Sequence, residues 1–145
     1  MIVVDTNLLA YSVLPGEGTA LALRVAARDA DWTAPSLWRH ELANALVTSM
    51  RVRGLTLDEA VGAFEEAERL VVDAERIPGL AERLELAARG QISAYDAEFV
   101  AVAQGLDLFL VNADRSLALA FPERVRLLSD FVGEGGEWGE EGEAG

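Results

Sequence analysis

Three absences bound the chemistry open to this chain. It has no cysteine, which excludes a disulfide framework and a thiolate zinc site, and its one histidine, His40, cannot make a multi-histidine metal site within a single chain. It has no lysine: all 12 basic residues are arginine, so no mechanism can call on a catalytic or phosphate-binding lysine. No apolar run approaches the roughly 20 residues needed to cross a bilayer. No basic stretch precedes an apolar one at the N-terminus, so no secretory signal is expected, and the expected setting is soluble and cytoplasmic. Positive charge is also scarce. A formal charge of −13 argues against a broad electropositive surface of the kind that simple nucleic-acid-binding modules use.

What is present suffices for one core: 145 residues, 51% of them hydrophobic, make one ordinary domain. The run Ile2-Val3-Val4 has the β-branched character of a strand buried on both faces of a parallel sheet, and it stops abruptly at Asp5-Thr6-Asn7. An acid at that point projects from the C-terminal edge of the sheet, where open α/β sheets bind their ligands. Residues 6–14 have helical character up to the breaker pair Pro15-Gly16, a second helix is predicted from about residue 19 to 28, and residues 31–34 read as a strand closed by Pro35. Residues 36–53 form a long helical pattern whose apolar stripe is Trp38, Leu42, Ala45, Leu46 and Met50. Thr56-Leu57-Asp58-Glu59 has the form of a capping box and opens a helix to about residue 69, followed by a strand at 70–73. Further helices are predicted over 79–89, from Ser93 to Gly105, and over 115–121, with strands at 108–111 and 125–128. Strands alternating with helices imply a largely parallel α/β sheet with right-handed crossovers. Residues 133–145 contain six glycines and five glutamates and no basic residue, and are expected to form a disordered or loosely attached acidic tail.

Four acids stand out against this frame, each with an ordinary structural explanation. Asp5 and Asp114 both follow an apolar strand and precede a helix, so either could simply be an N-cap. Asp96 lies three residues after Ser93 and could complete a capping box. Glu41 is harder to dismiss, because it lies one turn from Leu37 and Ala45 and next to Leu42, which puts its carboxylate at the border of the buried face. Asp96 likewise shares a face with Phe99, Val100 and Ala103. Charges there are costly unless paired, hydrogen-bonded or bound to a metal. If the strands before Asp5 and Asp114 are neighbours, their carboxylates come within reach and repel unless a cation sits between them. Oxygen ligands of high negative charge, without Cys or His, select a hard ion, Mg²⁺ or Mn²⁺, which can coordinate a phosphate oxygen and activate water.

With those residues in place, the chain over 1–132 resembles PIN-domain ribonucleases, and more narrowly the VapC-type toxins of toxin–antitoxin pairs. The carriers are Val3-Val4-Asp5-Thr6-Asn7, Ala34-Pro35-Ser36 leading to Glu41-Leu42 with Asn44, Ser93-Ala94-Tyr95-Asp96-Ala97 ahead of an Ala/Val-rich helix, and Leu110-Val111-Asn112-Ala113-Asp114. The resemblance implies an α/β/α sandwich around a parallel sheet of order 3-2-1-4-5. In it Asp5, Glu41, Asp96 and Asp114 would bind one or two Mg²⁺ or Mn²⁺ ions and activate water for cleavage of single-stranded or loop RNA, leaving a 5′-phosphate and a 3′-hydroxyl. It also implies a cognate antitoxin, a homodimer, and Thr6, Asn7 and Asn112 as supports of the acidic site. Asn112 departs from the Thr or Ser that many relatives carry there, which predicts altered geometry at that position. Arg39 and Arg115 are candidates for phosphate contact, and His40 reads as a surface or packing residue rather than a general base.

The rival enzyme readings fail on single residues. A receiver domain requires a lysine at the sheet edge; a haloacid-dehalogenase-type phosphatase wants an Asp where Asn7 stands; a P-loop binder needs a glycine-rich loop and its lysine. The competing reading from another class is a PIN-like domain acting only as a protein-interaction or regulatory module.

Overall fold

The computed structural model describes residues 1–134. In chain order the elements are β1 (Ile2–Val4), α1 (Thr6–Val13), α2 (Thr19–Arg28), β2 (Trp32–Ala34), α3 (Trp38–Arg53), α4 (Leu57–Leu70), β3 (Val71–Asp73), α5 (Leu80–Gly90), α6 (Ala94–Leu106), β4 (Leu110–Asn112), α7 (Arg115–Ala120), β5 (Val125–Leu127) and α8 (Leu128–Glu134). The five strands form one all-parallel sheet in the order β3-β2-β1-β4-β5. Right-handed crossovers then place α1 to α4 on one face and α5 to α7 on the other, giving the expected three-layer sandwich. The three inner strands are buried throughout, whereas the edge strands β3 and β5 each expose part of their length. The order reverses at β1, whose neighbours are β2 and β4, so a crevice opens beyond the ends of β1 and β4.

Local chemistry accounts for most boundaries. Thr56 and Glu59 make the reciprocal capping box that opens α4. The helices predicted to end at 89 and 105 extend through Gly90 and Leu106, and Gln91 and Asp107 take the left-handed positions that follow. The glycines near these ends serve close approach: a Cβ at Gly90 would lie 2.5 Å from Phe121 Cε2, and one at Gly105 would collide with Arg76.

Two larger departures from the sequence pattern fall in the C-terminal third. The strand predicted at 108–111 runs instead over Leu110–Asn112. Leu108 is unavailable because its N–H closes α6 by donating to the Ala103 carbonyl, while pairing with β1 reaches Val111 and pairing with β5 carries the strand on to Asn112. The second departure is α8, which was not foreseen. Its Phe131 and Val132 are buried, and Arg28 of α2 lies over the Phe131 ring, 4.4 Å from its centre, and donates to the Phe131 carbonyl. Residues 133 and 134 of the expected acidic tail belong to this helix, and 135–145 lie outside the described residues.

Candidate active site

Asp5, Glu41, Asp96 and Asp114 all line one cleft of about 320 Å³ at the switch point, together with Thr6, Asn7, Asn44 and Asn112. Each acid arrives from a different element. Asp5 follows β1 and caps α1, accepting from the Leu8 N–H at 2.9 Å through Oδ1 and from the Ala113 N–H at 3.1 Å through Oδ2. One carboxylate therefore ties β1 to the turn after β4. Glu41 comes from the first turn of α3, and the Thr6 hydroxyl donates to its Oε1 at 2.7 Å. Asp96 lies in the first turn of α6, and its N–H donates to Ser93 Oγ at 3.0 Å. Asp114 caps α7, its Oδ1 accepting from the Ser116 N–H at 2.9 Å and the Ser116 hydroxyl at 2.6 Å. Capping and cleft-lining thus coexist in Asp5 and Asp114 rather than compete.

The electrostatics set Asp114 apart from the other three. Burial pushes Asp5 up from 3.8 to about 7, against its two backbone bonds, and the charges of Glu41 and Asp96 add to the rise. Glu41 is raised by burial, an effect partly offset by Thr6 and reinforced by Asp96 and Glu98. Asp96 is raised by burial and by the charge of Asp114. Asp114 is exposed and is held below the usual carboxylate range, chiefly by the Ser116 hydroxyl. Three carboxyls resist ionisation beside a fourth that does not, and added positive charge would relieve them.

Among the described residues, no group of three or more His, Cys, Asp or Glu side chains is arranged to hold a metal ion as it stands. The donor chemistry nevertheless fits a hard divalent cation: four carboxylates border one cleft, and among the described residues the cleft offers no sulfur or imidazole. Asn112 adds a further oxygen. It is 1% exposed, and its Oδ1 is buried without a hydrogen-bond partner among the described residues.

The two arginines lie elsewhere. Arg39 is outside the cleft, paired with Glu68 at 2.7 Å and Asp73 at 3.0 Å and set over the Trp38 ring. Arg115 follows Asp114 but lines a separate groove along α7. His40 is exposed on α3. Asn44 lines the cleft beside Glu41, a role that the sequence reading does not assign to it. Its spacing of one helical turn from Glu41 was the available signal, since it places both residues on one face.

Fold and cleft together define a PIN-like α/β/α protein. The crystal structure of PAE2754 from Pyrobaculum aerophilum has this fold, with a TM-score of 0.71 at 20% identity over 92% of this chain and 93% of that one. In sequence the chain is 35% identical over 118 residues to ribonuclease VapC9 of Mycobacterium tuberculosis and to VapC ribonuclease Mb0985 of Mycobacterium bovis, covering 81% of this chain and 89% of each relative. It is 31% identical over 128 residues to ribonuclease VapC3 of Pyrobaculum aerophilum, covering 86% of this chain and 97% of the relative. No family model matches the chain. On these relatives the chain belongs to the VapC ribonuclease family of PIN-domain proteins.

Proposed function

We propose that this chain is a Mg²⁺- or Mn²⁺-dependent endoribonuclease and the toxin of a type II toxin–antitoxin pair. The observation that carries the reading is the meeting of Asp5, Glu41, Asp96 and Asp114 in one cleft at the switch point of the sheet. Relatives named as ribonucleases support RNA as substrate. A divalent ion held by these four acids would neutralise phosphate charge and activate the attacking water. The chain's own groups prepare the place. Leu8 and Ala113 fix both Asp5 oxygens, Thr6 orients Glu41, and Ser116 keeps Asp114 ionised. Asn7 and Asn112 border the same cleft and offer amide groups to water or to a phosphate oxygen. In the hydrolysis, the water oxygen bonds to phosphorus, the bond to the 3′ oxygen breaks, and that oxygen takes a proton, leaving a 5′-phosphate and a 3′-hydroxyl. The partners that go with this reading are an antitoxin whose cationic segment covers the acidic cleft, and a second copy of the chain.

The test is cleavage of total RNA by the purified protein in Mg²⁺, Mn²⁺ or chelator, beside Asp5→Asn and Asp114→Asn. Cleavage that needs the metal and falls to background in both variants supports the proposal. Cleavage indifferent to all three changes, or no cleavage of any RNA, overturns it and favours a PIN-like interaction module.

A further inference from the structure

A second groove, of about 560 Å³, adjoins the acidic cleft and is lined by Leu37, His40, Glu41, Asn44 and Tyr95. Glu41 and Asn44 line both hollows, so the two are continuous along α3. Two rings border the groove from different helices, and each directly precedes one of the cleft acids: His40 before Glu41 on α3, and Tyr95 before Asp96 on α6. Tyr95 is 64% exposed. Among the described residues, neither side chain makes a hydrogen bond, ion pair or ring contact. The fold therefore leaves two aromatic faces open beside the acids.

An RNA strand meets an unusual problem here. The protein carries −13, and Arg39, the arginine nearest to Glu41 in the sequence, is tied up by Glu68 and Asp73. Attraction of phosphates to a basic surface is therefore weak, which raises the weight of contacts that do not depend on cationic side chains. Stacking of unpaired bases on aromatic rings is such a contact, and it is available only to single-stranded or looped RNA. Resting on the nuclease reading above, we propose that this groove is a base-binding subsite. An unpaired nucleobase adjoining the scissile phosphate stacks on Tyr95, His40 forms the other aromatic part of the wall, and Asn44 bonds to the base edge or the ribose 2′-hydroxyl. The groove volume lies within the ~300–1,000 Å³ range of small-ligand pockets, and the amide of Asn44 supplies both donor and acceptor where the groove meets the cleft.

The subsite is tested with a short single-stranded RNA carrying 2-aminopurine, titrated with full-length protein in chelator so that nothing is cleaved. Wild type is expected to quench the fluorescence on binding. Tyr95→Ala should weaken binding about five- to a hundredfold, the size that base–aromatic stacking produces, while Tyr95→Phe and Tyr95→Trp retain it and His40→Ala loses less. Under cleaving conditions the Tyr95→Ala loss should fall on KM more than on kcat. An abasic nucleotide beside the cleavage site should mimic the loss in wild type and add nothing in the variant. Absence of quenching by wild type, or equal binding by wild type and Tyr95→Ala, overturns the proposal. So does a Tyr95→Ala variant that binds RNA normally but splits a dimer into monomers in sedimentation, which would make the groove an interface between copies. Tyr95-dependent binding without cleavage of any RNA would sustain the subsite and defeat the nuclease reading, so the two fail separately.

Discussion

Thr6 Oγ1 donates a 2.7 Å hydrogen bond to Glu41 Oε1, linking the first residue of α1 to the first turn of α3. The bond favours the ionised form of a carboxylate that burial and the charges of Asp96 and Glu98 push the other way. Thr6→Val removes the donor and keeps the shape, so the Glu41 carboxyl rises further and ionises only at higher pH. The acidic limb of the cleavage pH profile should move to alkaline values. Activity on that limb should drop about ten- to a hundredfold, matching the roughly 1.5–3 kcal/mol of a hydrogen bond to a charged group. Thr6→Ser should restore the profile. An unshifted limb in Thr6→Val would show that Glu41 ionisation does not limit the reaction.

Asp5 makes stability depend on pH in a definite direction. Its carboxyl ionises at about 3.8 in the unfolded chain and about 7 in the fold. Below 3.8 it is protonated in both states and nothing is lost; between 3.8 and 7 the unfolded state gains charge first, and stability falls until the folded carboxyl ionises too. Asn at this position cannot titrate. The stability of Asp5→Asn relative to wild type, measured by urea unfolding without metal, should therefore improve as pH rises from 4 to 8. The gain should be on the order of 1–2 kcal/mol, below the full linkage value because Asp5 keeps some solvent contact. Mn²⁺ at pH 8 should raise the melting temperature of wild type and leave the variant nearly unmoved. A pH-independent difference would mean that Asp5 is already ionised in the metal-free fold.

The parts of this protein legible in the sequence were those encoded locally. Ile2-Val3-Val4 sits in the middle of the sheet because its β-branched side chains are buried on both faces, and Asp5 follows it at the sheet edge. The capping box at Thr56 and Glu59 needed only four residues to be recognised. Sheet order came from the resemblance and not from any residue pattern, since three-residue strands carry too little register information. The limits of β4 escaped because pairing with β1 and β5, and the use of the Leu108 N–H by α6, are nonlocal. Helix α8 escaped because its Phe131 is held by Arg28, about a hundred residues earlier. The aromatic groove was hidden for a related reason. Tyr95 and His40 are distant in sequence, and only the packing of α6 near α3 brings them to one wall.

Asp73, at the end of β3, supports the α3 end of the cleft without entering it. Its Oδ1 accepts from Trp38 Nε1 at 2.7 Å and its Oδ2 from Arg39 Nε at 3.0 Å. Burial pushes this carboxyl up, but the two bonds and the guanidinium charge outweigh burial and hold it below 3.8. Trp38 is fully buried and stacks on Phe64 at 5.3 Å, so Asp73→Ala strands a buried indole N–H. The loss should be about 1–3 kcal/mol at pH 7. Because the folded pKa is depressed, the stabilisation is present above 3.8 and disappears as pH falls through the folded value. The gap between wild type and variant should therefore narrow in unfolding experiments below about pH 3.8, leaving the part due to the indole bond that a neutral carboxyl still accepts. A gap that persists undiminished into acid would assign the loss to packing instead of ionisation.

Asn112 ends β4 with a buried Oδ1 that has no partner among the described residues, in a strand where β-branched residues are favoured. An orphaned buried acceptor costs about 1–3 kcal/mol. Asn112→Val, similar in size and apolar, should therefore stabilise the metal-free protein by about 1 kcal/mol in urea unfolding. If the amide supports a cation or its water in the cleft, the same change should weaken Mn²⁺ binding about tenfold, as loss of a supporting ligand contact typically does. Asn112→Thr, which keeps an oxygen, should gain similar stability while retaining most of the Mn²⁺ affinity. The two measurements separate the cost of the residue from its use: a stabilised Val variant with unchanged Mn²⁺ affinity leaves Asn112 outside the metal site, and a destabilised one shows that its amide is already satisfied in the metal-free fold.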